Sequence, residues 1–239
     1  MTSAAATKLL EALERARVHH ERRAHDSLLA GRLDALAQWQ AARLTQTYTD
    51  LAAVPRYADA IVFFRSDLYG PGDFSRRDAD LARVVPILSR TLPEGVITTV
   101  AKAMELSALS HELDRAMIDN LDTDCAIDGA SYALAYRRCG RAEDRALQIE
   151  LIGEVGRSLE RYVHKPLVSK ALVLMRKPAR AAGFGELQDF LERGFRAFAS
   201  IGDAAEFLAI IEQRETALMH ALFVGENAPE VTVEAPRRR

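Results

Sequence analysis

Cysteine is almost absent from this chain. Cys125 and Cys139 are the two among 239 residues, with no C-x-x-C and no histidine beside either. That pattern excludes a disulfide framework and a cysteine-based zinc site, and it fits a reducing compartment. Glycine and proline are modest at 13 and 8, which argues against a low-complexity or collagen-like chain. Neither G-x-G-x-x-G nor G-x-x-x-x-G-K-[ST] occurs, so the glycine-rich loops that cradle nucleotide phosphates are missing. No stretch approaches the roughly 18 uninterrupted apolar residues of a membrane span. The first residues run directly into Glu11, Glu14 and Arg15 without the apolar core of a signal peptide. Charge of one sign is also lacking: the formal net charge is -2, so no overall field favours nucleic acid or an anionic membrane. Composition thus predicts a cytoplasmic protein with no membrane span and no evident nucleic-acid partner.

What is present is amphipathic helix. From Asp26, the residues Leu29, Leu33, Leu36, Leu44, Tyr48 and Leu51 recur at helical steps. The segment from Tyr57 to Tyr69 is short and apolar and is broken by Gly70-Pro71-Gly72. Ser75 opens a helix that Pro86 should bend or end. The stretch from Pro93 to Leu121 is apolar nearly all round, the mark of a central helix. Further helices are predicted over 126–138, 143–164, 166–180, 186–200 and 203–224. Short connections favour antiparallel neighbours. The fold class is therefore all-α, a compact bundle of about eight or nine helices with mostly antiparallel neighbours. Residues 1–25 form a charged helical N-terminal arm in this reading, 26–225 a single domain, and 226–239 a disordered tail ending in Arg237-Arg238-Arg239.

The smooth pattern changes at Phe63-Phe64-Arg65-Ser66-Asp67-Leu68-Tyr69-Gly70-Pro71-Gly72-Asp73-Phe74-Ser75-Arg76-Arg77-Asp78. This stretch resembles the signature of the FFLEELY-motif family of uncharacterised bacterial proteins. Phe63, Phe64, Leu68 and Tyr69 match it, Asp67 stands where the motif has Glu, and Arg65 and Ser66 depart from its Leu-Glu. The resemblance implies bacterial origin and brings no activity and no catalytic residue with it.

Two constellations stand out. Ser75 and Asp78 have the spacing of a capping box, while Arg76, Arg77 and Tyr69 beside them suggest either a structural ion-pair network or an anion clamp. Glu215 falls on the stripe of Ala204, Leu208, Ile211, Leu218 and Leu222, so its carboxylate needs a partner from another helix. Arg76, Arg77 and Arg145 are the candidates. Glu105 can pair with Lys102 three residues earlier, and His111 precedes Glu112 and Asp114. No Glu-x-x-His or H-E-x-x-H occurs, so neither a di-iron bundle nor that type of zinc site is encoded locally. His19 and His20 sit among Arg17, Glu21, Arg22 and Arg23 and read as surface helix. Candidate binding or network residues are thus Tyr69, Arg76, Arg77, Asp78, Glu105, His111 and Glu215, with no catalytic residue, no metal and no cofactor expected. The functional reading is a non-catalytic binding or interaction protein, with a protein partner or a second copy of itself. The alternative is an enzyme or small-molecule carrier with a cavity between helices near the Phe63–Asp78 junction. A closed, fully packed interior would favour the first reading, and a pocket of several hundred cubic ångströms with converging polar groups the alternative.

Overall fold

The computed structural model describes residues 3–68, 73–122 and 126–231. Among these there are eleven α-helices and no strand. They are α1 (Ala4–His25), α2 (Ser27–Thr47), α3 (Thr49–Ala52), α4 (Pro55–Phe63), α5 (Ser75–Thr91), α6 (Glu94–Asn120), α7 (Gly129–Cys139), α8 (Ala142–Val163), α9 (Pro166–Ala181), α10 (Gly185–Ile201) and α11 (Ala205–Val224). One turn of π-helix, Phe64–Leu68, extends α4. The count exceeds the expected eight or nine because Tyr48 splits a one-turn helix from the end of α2 and residues 4–25 form a full helix.

Polar side chains set several of the boundaries. Asp26 separates α1 from α2, its carboxylate accepting from Leu29 N at 2.9 Å. Asp128 and Ser131 cap α7 reciprocally, and Gly140 ends that helix at φ 61°, where a side chain would be strained. Arg32 Nη2 donates to the carbonyls of Ile118 and Leu121, two of the acceptors that α6 cannot satisfy at its own C-terminus. Pro86 does not end α5, which runs on to Thr91. It sits on an exposed face, where the carbonyl that it leaves without an N–H partner can turn to water, while Leu81 and Val85 hold the opposite face in the core.

The long helix α6 is central. It touches α1, α2, α5, α7 and α8, and buries Ile97, Met104, Leu109, Leu113 and Met117. The stretch expected as an N-terminal arm is docked: α1 lies along α6 and buries Ala5, Ala6, Leu9, Ala12, Leu13 and Ala16. Its small apolar residues recur at three- and four-residue steps beneath a charged outer face, and the charges dominated the sequence pattern. Phe63 and Phe64 of the signature pack into the core. Phe63 meets Phe190 at 5.5 Å between centroids, and Phe64 packs against Phe198 and Phe207.

The C-terminal segment is partly folded as well. Residues 226–231 return to α7, Ala228 is buried, and its N–H donates to the Gly129 carbonyl at 3.1 Å. Residues 232–239 lie outside the described residues. A Cβ on Gly129 would fall 2.2 Å from the Ala228 carbonyl oxygen. Gly129→Ala is therefore expected to lift this segment from α7 and cost about 1–3 kcal/mol, the usual range for overpacking. Limited proteolysis checks it, since cleavage after residue 225 should become faster than in the parent protein.

Candidate ligand cavity and a histidine–aspartate cluster

Helices α2, α4, α6, α7, α8 and α11 and the π turn line a cavity of about 100 Å³. From α2 and its C-terminal cap come Gln40, Arg43 and Tyr48; from α6, Ser110 and Asp114; from α8, Arg145 and Gln148; from α11, Glu215. Phe64 and the exposed Arg65 close it from the π turn, and Tyr132 and Tyr136 of α7 complete the wall. A π turn holds one more residue than an α turn, and such turns are frequent at functional sites.

Glu215 does lie on the inward stripe of α11, but its partner is Arg43. Arg43 Nη1 and the Tyr48 hydroxyl both donate to Glu215 Oε1 at 2.6 Å. Of the arginines named from sequence, Arg76 is at the surface facing Glu186 at 3.2 Å, Arg77 belongs to a second cluster, and only Arg145 shares the cavity. Burial works to raise the Glu215 carboxyl, but Arg43 and Tyr48 outweigh it and hold the group below its ordinary range. Asp114 goes the other way. It accepts from Gln40 Nε2 at 2.9 Å, and burial pushes its carboxyl up.

Arg145 is the anomaly of the cavity. It is 7% exposed, Nη1 donates to Gln148 Oε1 at 3.2 Å, and the guanidinium carbon stands 4.5 Å from the centre of the Tyr136 ring. Nη2 is buried and has no hydrogen-bond partner, and Arg145 makes no ion pair among the described residues. Three guanidinium groups, of Arg43, Arg65 and Arg145, thus face two carboxylates, and Arg43 is matched to Glu215.

The second cluster lies where α1, α5 and α6 meet. Asp78 is 4% exposed and His20 is 9% exposed, and the His20 Nε2 to Asp78 Oδ2 distance is 3.0 Å. The ring of His111 stands edge-on to His20 at 5.1 Å, and that of His19 stacks on His111 at 6.2 Å. Nε2 of His111 is buried without a partner, and burial pushes this imidazole down to about 4. Arg77 Nε donates to Asp78 Oδ1 at 3.0 Å, its guanidinium held between the rings of Phe74 and Phe190. Burial works to raise the Asp78 carboxyl, and the His20 hydrogen bond with the charge of Arg77 more than offsets it.

Three expectations are corrected here. His20 is not a surface residue, because α1 turns it toward α5 and α6. The capping box of Ser75 and Asp78 does not form: Ser75 N donates to Asp73 Oδ1 at 2.9 Å, and Asp78 is turned to His20 and Arg77. Lys102 pairs with Glu154 of α8 at 2.9 Å, so Glu105 belongs to neither cluster. Tyr69 lies outside the described residues.

Arg43, Asp114, Gln40 and His20 were not expected as site residues. No helix among the described residues is long and apolar enough to cross a membrane. No curated protein and no solved structure matches the chain. A family model does match residues 19–229, and the chain belongs to that family, a domain of unknown function designated DUF8198.

Proposed function

We propose that this protein binds a small organic anion, a carboxylate, in the cavity between α2, α6, α8 and α11. The observation that carries the reading is Arg145, a buried guanidinium with an unpartnered Nη2 and no carboxylate in contact. Asp114 and Glu215 act on Arg145 only through space, and a buried cation without a hydrogen-bonded counter-charge is costly. A bidentate carboxylate would satisfy both the charge and the orphaned N–H. The cavity, about 100 Å³, admits about four heavy atoms by comparison with the roughly 150 Å³ site that takes benzene. That size suits acetate or the slightly larger glycolate and excludes nucleotides. The exposed Arg65 at the rim provides a second cationic group on the way in.

This is the carrier alternative of the sequence reading. None of its polar groups requires chemistry on the ligand, so the protein is read as a binder. The FFLEELY resemblance, bacterial origin and a cytoplasmic location belong to the same reading, supported by the signature residues and the scarcity of cysteine. A second reading has its own observation. Leu167 and Leu174, one face of α9, are 80% and 77% exposed, as an interaction protein or homodimer would present them. Sedimentation velocity tests that one, a single monomeric species at high concentration counting against it.

The cavity reading is tested by thermal shift and calorimetry with a panel of two- to four-carbon carboxylates. At a ligand concentration 100 times Kd the stabilisation should be about 2.7 kcal/mol. Arg145→Met should abolish that response while leaving the unliganded protein as stable as the parent or more so, since an unpaired buried charge is replaced by an apolar chain. No response to any carboxylate by the parent protein, or an undiminished one in Arg145→Met, overturns the reading.

A further inference from the structure

The cluster at the α1–α5–α6 junction is separate from the cavity and shares none of its lining residues. It brings together two imidazoles and one carboxylate from three helices. One ligand atom from each of His20, Asp78 and His111 can be chosen so that all three lie within 4.8 Å of one another. We propose that His20, Asp78 and His111 form a binding site for a divalent first-row transition cation, zinc being the reference ion.

Three observations support it. Nε2 of His111 is buried and has no partner among the described residues, leaving a nitrogen able to ligate with nothing bound to it. Inert burial of an imidazole normally satisfies its nitrogens. A cation would supply the missing partner. The donor set is also chemically selective, since two nitrogens and one carboxylate oxygen suit zinc, iron, cobalt or nickel, whereas calcium and magnesium prefer all-oxygen sites. Finally, the carboxylate is oriented from outside. Arg77 Nε holds Asp78 Oδ1, itself fixed by the Phe74 and Phe190 rings, which leaves Oδ2 directed at the histidines. Outer partners that fix a ligating carboxylate are a regular part of such sites.

The geometry is close to what zinc needs. Bonds of about 2.1 Å in a tetrahedron set ligand atoms about 3.4 Å apart, against 3.0 Å between His20 Nε2 and Asp78 Oδ2. The three ligand atoms lie within 4.8 Å of one another, so the cluster must contract on binding. On binding, the cation replaces the proton that His20 Nε2 shares with Asp78, and His20 then carries its ring proton on Nδ1. Three protein ligands leave a fourth position for water. The positive charge of Arg77 nearby weakens the attraction, so micromolar rather than picomolar affinity is the expectation.

Local spacing gave no warning of this site. His20, Asp78 and His111 lie on three different helices, beyond the reach of any ligand-pair spacing within one helix.

The experiment uses full-length, untagged protein stripped with chelator and titrated with zinc by calorimetry and with cobalt by visible absorption. One cation per chain, a tetrahedral cobalt spectrum and a raised Tm are expected. His111→Leu should keep the fold, because its ring makes no hydrogen bond among the described residues, and should weaken binding by more than about 100-fold, beyond the usual loss of an outer partner. Asp78→Asn is the second variant should His111→Leu not fold, with the same loss expected. His220→Ala, which alters an exposed histidine outside the cluster, should bind as the parent does. Absence of stoichiometric binding at 100 µM cation, or binding undiminished in both His111→Leu and Asp78→Asn, overturns the proposal.

Discussion

Glu215→Ala should cost about 3–5 kcal/mol, the range for removing one member of a buried ion pair. Its partner Arg43 has a side chain only 10% exposed and Glu215 one 15% exposed, so water cannot replace the lost carboxylate well. Arg43 Nε is already buried without a partner, and the variant would strand Nη1 beside it. Tyr48 loses an acceptor at the same time. The double variant Arg43→Met, Glu215→Leu should recover most of the loss, because two apolar chains of similar volume leave no orphaned charge. Urea unfolding of the parent, Arg43→Met, Glu215→Leu and the double variant checks it. A double variant as unstable as the sum of the singles would show that packing, and not charge pairing, holds this region.

The same pair fixes a sign for pH. Glu215 is held below its ordinary value of 4.5, so the unfolded chain takes up its proton first as pH falls. Its contribution is complete above pH 4.5 and is lost as pH falls through the lower folded value. Asp114 is raised above 3.8 and acts oppositely, contributing at low pH and losing that contribution as pH rises through its folded value. The stability gap between Glu215→Ala and the parent should therefore narrow below pH 4.5. A gap that stays constant down to pH 3 would mean that the ion pair does not form.

How much of this was legible depends on range. Helix positions follow from local periodicity, so α6, α7, α8 and α11 lie close to where the apolar pattern placed them. Glu215 was legible for the same reason, being a charge on an apolar stripe. The identical argument applied to α2 would have found its partner. Leu36, Trp39, Gln40 and Arg43 are one buried face, and two of the four are polar. Following Leu33, Leu36 and Leu44 instead drew attention to the apolar members alone. Arg145 was visible only as a possible partner for Glu215, because burial without a contacting carboxylate is a property of three dimensions. The His20 cluster was out of reach entirely. Its members are far apart in sequence, and His20 lies in a run of charges whose exposed majority hides the inward turn of one residue.

The other large effect is expected at Trp39, the single tryptophan of the chain. It is 1% exposed and stacks on Tyr132 at 4.1 Å between centroids, within a cluster that includes Leu36, Met117, Tyr136, Met219 and Leu222. Trp39→Ala should cost about 3–5 kcal/mol, the transfer and cavity terms of a large aromatic together. Trp39→Phe should cost far less than its lost area suggests. The indole Nε1 is buried with no acceptor among the described residues, and an unmade hydrogen bond of this kind carries a penalty of about 1–3 kcal/mol. Phenylalanine gives up apolar contact but removes that penalty, so a net loss of about 1 kcal/mol or less is expected. Circular dichroism during thermal unfolding measures both variants without needing the tryptophan signal. The two should also differ in function, because Tyr132 forms part of the wall around Arg145. With alanine at position 39 the tyrosine loses its support and can slide into the space left behind, so carboxylate binding should weaken even below the melting range. With phenylalanine the support remains and binding should persist. Equal destabilisation by alanine and phenylalanine would show that the indole N–H is satisfied, and unchanged binding in Trp39→Ala would show that the cavity wall does not depend on this stack.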